Sequence, residues 1–154
     1  MVNNYRRLHH VLFILGFLLL AAVTVYTILV YGKIDYEVPI HFNIFGKADA
    51  YGSKSTLVIL LIIGWFLIAG MTVVGALPSV WNTGVKVTEK NREKVYSIIR
   101  TMLSILTFAI AAFFSCLIFC IAKGRDLPAA ALPVFLIAVF ATSTVIVIRL
   151  VRNR

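Results

Sequence analysis

The sequence predicts an all-α integral membrane protein with four transmembrane helices. Hydrophobic residues occupy 61% of its 154 positions and charged residues only 14%, whereas soluble domains average about 45–50% apolar and about 25% charged residues. The apolar residues are also gathered into four uncharged stretches. Because a chain of this length cannot bury so much apolar surface in a globule, a lipid bilayer is the expected solvent.

The four predicted spans are residues 11–31, 57–77, 98–122 and 129–149, within a single domain of residues 1–154. Each contains at least 20 consecutive positions without Asp, Glu, Lys, Arg or His. At about 1.5 Å per residue, such a helix crosses the roughly 30 Å hydrocarbon core. The first stretch is longer than the apolar core of a signal peptide, which has about 7–15 residues. We therefore expect it to remain in the protein as a transmembrane helix. The lack of ionisable groups argues against an ion-coupled transporter.

The distribution of Lys and Arg predicts the orientation of the helices. Ten of the fifteen lie in the N-terminal segment, around the connection between the second and third spans, or in the C-terminal segment. The positive-inside rule therefore places both termini and that connection in the cytoplasm. The connection between the first two spans, residues 32–55, is then external. Because topology accounts for the net charge of +9 and no soluble nucleic-acid module is present, we expect no nucleic-acid partner.

Small residues recur along the third span, at Ser104, Ala112, Cys116 and Cys120. Such residues let helices approach closely, and they would permit a homo-oligomer. Cys116 and Cys120 are one helical turn apart, a geometry and a location that disfavour a disulfide. We interpret both cysteines as packing residues.

The external connection has the highest density of polar and turn-forming residues, which predicts a structured external loop between helices 1 and 2. Gly46 is suited to a sharp turn. His41 and Asp49 could form an acid–base pair in which the carboxylate orients the imidazole. Alternatively, Asn43 and Asp49 form Asx turns and His41 bonds a backbone carbonyl. One His and one carboxylate fall short of a metal site, so we expect no metal, no cofactor and no assigned catalytic residue.

The cytoplasmic connection is the second polar region. Thr88 is a candidate N-cap of a helix that continues into the third span. Trp81 is typical of an interfacial anchor, and Arg100 is placed to reach the lipid headgroups. A basic pocket for an anionic lipid headgroup is the functional alternative for this region.

Two segments carry a resemblance to a known family. The first is Pro39-x-His41-Phe42-Asn43-x-x-Gly46-x-x-Asp49-x-x-Gly52-Ser53-Lys54, and the second runs from Asn82 through Asn91 to Arg100. They resemble the domain of unknown function 1648, a group of small bacterial membrane proteins related to the SdpI immunity proteins. The resemblance implies a multi-pass protein of the bacterial cytoplasmic (inner) membrane. It also implies these candidate ligand-binding residues: His41, Asn43, Gly46, Asp49, Asn82, Asn91 and Arg100.

Three functions remain open. A binding protein of the immunity or peptide-sensor type would recognise an amphipathic peptide or a lipid, including an anionic lipid, at the outer membrane surface. A membrane enzyme would act on lipid or peptide through His41 and Asp49, although the missing nucleophile counts against it. An accessory subunit would use the helices as a scaffold within a larger membrane complex.

Overall fold

The computed structural model describes residues 2–152, with side chains from Arg7 to Arg152. Arg154, one of the ten basic residues assigned to the cytoplasmic side, lies outside the described residues. Four helices, α1 to α4 in chain order, are long and apolar enough to cross a membrane. Their bounds are Val2–Val30, Ser55–Ala76, Arg92–Ala122 and Ala131–Val151. The prediction of four helices that are long and apolar enough to span a membrane is confirmed.

Helix α3 is the centre of the bundle, since α1, α2 and α4 all pack against it. The α1–α3 contact is the most extensive of the three. Gly16 allows close approach there, because a Cβ atom at this position would lie 3.3 Å from the Cβ atom of Ala111. Small residues are the usual means of close helix packing in membranes. The tight interface of α1 with α3 therefore follows from a glycine facing an alanine.

The buried face of α3 differs in part from the predicted one. Its small and hydroxyl-bearing residues are Ser104, Thr107, Ala111 and Ser115. Of the predicted small-residue set, Ser104 and Cys120 are buried, whereas Ala112 and Cys116 are only partly buried. Both cysteines are free.

Helix α4 lies at the edge of the bundle. It packs against α3 as the short connection between them predicts. Phe135 stacks on Phe113 of α3 with ring centroids 4.6 Å apart. Among the described residues of α4, Ile146 alone is buried. Most of this helix therefore presents its apolar side chains outward, as a membrane-facing helix does.

The connection between α1 and α2 is a β-hairpin, so the all-α prediction holds for the spans but not for this segment. Strands β1 (Glu37–Phe42) and β2 (Ala48–Ser53) pair in the antiparallel sense. Branched and aromatic residues such as Val38, Ile40 and Phe42 favour the extended conformation of β1. The prediction of a structured connection is correct, and its structure is a sheet.

The hairpin and the other long connection lie at opposite ends of the bundle. We call the end formed by residues 31–54 and 123–130 the hairpin end, because the two segments contact each other there. We call the other end, with residues 2–10, residues 77–91, the first three turns of α3 and the C-terminal end of α4, the connection end. Helix α3 joins the two ends over 31 residues.

Candidate functional site

The turn of the hairpin is built on Asn43. The side-chain Oδ1 of Asn43 accepts hydrogen bonds from the backbone N–H of Phe45 at 2.9 Å and of Lys47 at 3.1 Å. The backbone N–H of Asn43 donates to the carbonyl of Lys47, and Gly46 N–H donates to the carbonyl of Asn43. The predicted Asx turn at Asn43 is therefore confirmed, and this candidate residue shapes the backbone.

Gly46 docks the turn onto the connection between α3 and α4. Its φ of 78° lies in the left-handed region that favours glycine. The carbonyl of Gly46 accepts a hydrogen bond from the N–H of Leu127 at 2.8 Å. A Cβ atom on residue 46 would approach the carbonyl oxygen of Leu127 to 2.1 Å. Glycine is thus required at this position by both conformation and close approach.

Asp126 and Lys54 hold the hairpin at two further points. The Asp126 Oδ1 atom accepts a hydrogen bond from the N–H of Ala48 at 2.9 Å. The Lys54 Nζ atom donates to the carbonyls of Ile34 at 2.9 Å and Tyr31 at 3.2 Å. Strand β1 is also fixed to the helices, because Val38 is buried in the hydrophobic core that they form. The hairpin is therefore a fixed part of the bundle.

His41 and Asp49 form an ion-pair-type contact on this fixed hairpin. The Nδ1 atom of His41 lies 2.5 Å from the Oδ1 atom of Asp49. The strand register is irregular here, and Asp49 lies between the residues that oppose His41 and Phe42. Such bulges re-aim side chains and are frequent beside functional sites.

The contact with Asp49 determines which nitrogen atom of the His41 imidazole is available to a ligand. With Nδ1–H donating to Asp49, the Nε2 atom of a neutral ring is an acceptor or a base. The side chains are 68% and 43% exposed for His41 and Asp49, so a ligand can reach them. The partner of His41 is a carboxylate and not the backbone carbonyl of the alternative interpretation. Among the described residues, no group of three His, Cys, Asp or Glu side chains is placed to hold a metal ion.

Large apolar side chains are exposed on the same hairpin as this pair or beside it. Five residues on or beside the hairpin have well-exposed side chains. They are Tyr36, Ile40, Ile44, Phe45 and Tyr51. We call His41, Asp49 and these five residues the hairpin surface. The combination of exposed apolar rings, a hydrogen-bonding pair and a fixed backbone suits recognition of an amphipathic ligand.

The other three candidates, Asn82, Asn91 and Arg100, lie at the connection end and are not brought near the hairpin surface. Asn82 Oδ1 accepts a hydrogen bond from the N–H of Gly84 at 3.1 Å. Asn91 Oδ1 accepts from the N–H of Thr88 at 2.7 Å. Both asparagines therefore stabilise the local backbone.

The start of α3 also differs from the prediction. The helix begins at Arg92, and Asn91 stands at the N-cap position predicted for Thr88. The N–H of Arg92 donates to the carbonyl of Thr88 in a preceding turn. The N–H of Thr88 donates to the Asn91 side chain, and the N–H of Asn91 donates to the Thr88 hydroxyl at 3.4 Å. These are the reciprocal bonds of a capping box, so the capping role predicted for Thr88 is confirmed, although the regular helix begins three residues later than predicted. The guanidinium of Arg100 lies 6.0 Å from the ring centroid of Trp81.

Comparison with known proteins identifies one matching region. Residues 18–67 match the family model described as Domain of unknown function (DUF1648). The match covers most of α1, the hairpin and the first half of α2. It includes the four hairpin candidates and excludes Asn82, Asn91 and Arg100. No curated protein and no solved structure matched the chain.

Proposed function

We propose that this chain, which carries a DUF1648 domain at residues 18–67, is a membrane binding protein whose hairpin surface captures an amphipathic peptide. One observation carries the proposal. The hairpin is tied to the bundle by long-range hydrogen bonds, yet it leaves His41, Asp49 and large apolar side chains exposed. A preorganised surface of this kind loses little conformational entropy when a ligand binds.

The distribution of charge supports an outer location for this surface. Among the described residues, the connection end carries nine Lys and Arg residues and the hairpin end carries five. By the positive-inside rule the connection end faces the cytoplasm and the hairpin faces outward. We place the protein in the cytoplasmic membrane of a bacterium, with the hairpin directed at peptides that arrive from outside.

A peptide is favoured over a lipid by the backbone of the hairpin. Each strand of the two-stranded sheet has a strand partner on one side only. An extended peptide can add to such an edge through main-chain hydrogen bonds, while pockets and exposed rings select its side chains. Ile44 and Phe45 would contact the apolar residues of the peptide. The pair of His41 and Asp49 would bond its polar groups.

The biological role that fits these features is immunity or peptide sensing. A protein of this type would hold a membrane-active peptide at the outer surface and keep it from inserting. Binding alone is sufficient for this role, so no catalytic step is required.

Native mass spectrometry tests the proposal on protein released gently from its own membranes. The wild type should carry a bound peptide. An Asp49→Asn variant should lose it, because the pair then offers no carboxylate to the peptide and the bond to the imidazole is no longer charge-assisted. Glu37→Gln is the matched control, since it removes an exposed carboxylate from the same hairpin and should keep the peptide.

Other outcomes separate the alternatives. A lipid that is lost only in Asp49→Asn would replace peptide by lipid as the ligand. Cleavage of the peptide by the wild type, abolished in His41→Ala, would indicate the membrane enzyme. Wild-type protein that carries neither ligand but copurifies with a larger complex would refute binding and favour the accessory subunit.

A further inference from the structure

A second candidate binding region, separate from the hairpin surface, is a cavity at the connection end. It has a volume of about 470 Å³ and lies between α1, α2 and α3. Ligand sites in proteins span about 300–1,000 Å³, so the volume is sufficient for a headgroup and the first part of a chain. Its lining residues include His9, Phe13, Met71, Arg100 and Leu103. All of these lie outside the segment that matches the DUF1648 model.

Arg100 supplies the main positive charge of the cavity. Within the described part of the chain, the single ion pair joins His41 and Asp49 at the other end of the bundle. No described carboxylate therefore neutralises Arg100, and no Asp or Glu lines the cavity. The guanidinium rests beside the ring of Trp81 at 6.0 Å. Its planar set of donors matches a phosphate group.

Two histidines extend the polar side of the cavity. The Nε2 atom of His9 lies 2.8 Å from the hydroxyl oxygen of Thr101. Thr101 uses its only hydroxyl proton in a bond to the carbonyl of Ser97 at 2.8 Å. His9 must therefore donate its Nε2 proton to Thr101, which holds the ring in place. His10 adds a second imidazole to the same lining.

The remaining wall is apolar. Phe13, Met71 and Leu103 come from three different helices and line the cavity where the uncharged spans begin. A free phosphate would satisfy Arg100 and leave this wall uncovered. A hydrocarbon chain would cover the wall and leave Arg100 without an anion. A molecule with both parts satisfies the whole cavity.

We infer that this cavity binds the phosphate group of an anionic amphiphile, with Arg100 on the phosphate and the hydrocarbon chain along Phe13, Met71 and Leu103. The phosphate chemistry has two possible sources, a membrane phospholipid and a water-soluble phosphate ester. The apolar wall favours the phospholipid. The inference concerns the end of the bundle opposite to the hairpin, so it stands or falls independently of peptide capture.

Native mass spectrometry of the purified protein in detergent tests the inference with three probes. These are phosphatidic acid, phosphatidylcholine and glycerol 3-phosphate. We expect phosphatidic acid to bind more tightly than the other two. Arg100→Gln should weaken its binding about tenfold or more, because a hydrogen bond from a charged donor is lost.

Matched variants distinguish the cavity from general surface charge. Arg92→Gln removes the same charge two turns earlier on α3 and should change the affinity by no more than about twofold, because Arg92 does not line the cavity and an exposed charge outside a site contributes little. Gly75→Leu fills the cavity, since the nearest side-chain atom to an added Cβ is Leu103 Cδ1 at 4.0 Å. It should abolish lipid binding. Gly70→Leu on the same helix has nothing within 4 Å of its added Cβ and should leave binding intact.

Circular dichroism establishes that each variant keeps its helices. Equal binding of phosphatidic acid and phosphatidylcholine would overturn the inference. Equal losses in Arg100→Gln and Arg92→Gln, or unchanged binding in Gly75→Leu, would overturn it as well. If glycerol 3-phosphate binds as tightly as phosphatidic acid and competes with it, the phosphate site stands and the source is a soluble ester.

Discussion

The two ends of the bundle are stabilised in different ways. At the hairpin end, Asp126 bonds the backbone of Ala48 across 78 positions of the sequence, and Lys54 bonds the carbonyl of Ile34 across 20. At the connection end, the side chains of Asn82 and Asn91 bond backbone groups two to five residues away. The hairpin is therefore held by the tertiary structure, whereas residues 77–91 are shaped mainly by local bonds.

This difference has a functional consequence. Long-range bonds fix the backbone beneath the hairpin surface, so its exposed residues are presented in one arrangement. The connection end instead leaves an open cavity where three helices meet. A rigid displayed surface suits capture of a ligand from outside, and a cavity between helices suits a lipid that enters from the bilayer. Four predictions test the contrast in stability on which this comparison depends.

The largest effect is expected at Gly46, with Gly84, a glycine of positive φ at the other end, as its comparison. Gly46→Ala should lower the free energy of unfolding by about 3 kcal/mol, from left-handed strain of about 1–2 kcal/mol and a lost hydrogen bond of about 1 kcal/mol. Gly84 also has positive φ, but nothing lies within 4 Å of its added Cβ. Gly84→Ala should therefore cost only about 1 kcal/mol. Unfolding in mixed micelles, followed by tryptophan fluorescence, measures both values, and equal losses would contradict the contrast.

Lys54 provides the next largest effect. Lys54→Met keeps most of the aliphatic stem and removes the ammonium that bonds Tyr31 and Ile34. We expect a loss of about 2 kcal/mol, the range for hydrogen bonds to a charged group. Lys47→Met is the control, because Lys47 is exposed in the hairpin turn and should change stability by no more than about 0.5 kcal/mol. The same unfolding assay applies. If the free energy of unfolding falls equally in both variants, the positive charge of the segment stabilises the hairpin, and the bonds from Lys54 to the two carbonyls do not.

Asp126 tests the link between the two connections at the hairpin end. Asp126→Ala removes the acceptor for Ala48 N–H and should cost about 1 kcal/mol. Asp126→Asn keeps an oxygen in place and should be close to neutral. Hydrogen exchange followed by mass spectrometry should show faster exchange of the β2 amides in Asp126→Ala only. Unchanged exchange in that variant would mean that the bond does not restrain the hairpin.

The smallest effect is expected at the connection end. Asn82 is exposed and bonds the nearby N–H of Gly84. Asn82→Ala should change the free energy of unfolding by no more than about 0.5 kcal/mol. Exchange of the hairpin amides should stay as in the wild type. A loss as large as that of Lys54→Met would show that residues 77–91 also depend on tertiary contacts.

The candidate site was predictable from sequence only in part. Asn43 and Gly46 carry strong local turn preferences, so the shape of the turn could be anticipated. The spacing of His41 and Asp49 suggested a pair, but their contact depends on the pairing of two strands. Leu127 and Asp126 gave no local sign of their role, because they meet the hairpin only after four helices have assembled.

At the connection end too, the sequence identified only some of the residues of the candidate site. Arg100 was identified through its position before an apolar span and through the family resemblance. His9 and His10 were not identified as site residues, because the cavity they line exists only where α1, α2 and α3 converge. The start of α3 was also misplaced by three residues. The preference of Thr88 for a helix cap correctly located the capping turn that Thr88 forms with Asn91, but not the residue at which the regular helix begins.

Long uncharged apolar stretches were enough to determine the class of this protein. Their length matches a bilayer, and an uncharged helix of such length has no other favourable solvent. The tertiary structure alone decided that α3 is central, that the first connection is a hairpin docked by Gly46, and that a cavity opens beside Arg100. Each of these depends on contacts between residues far apart in sequence. Their energies depend on geometry that no local pattern specifies.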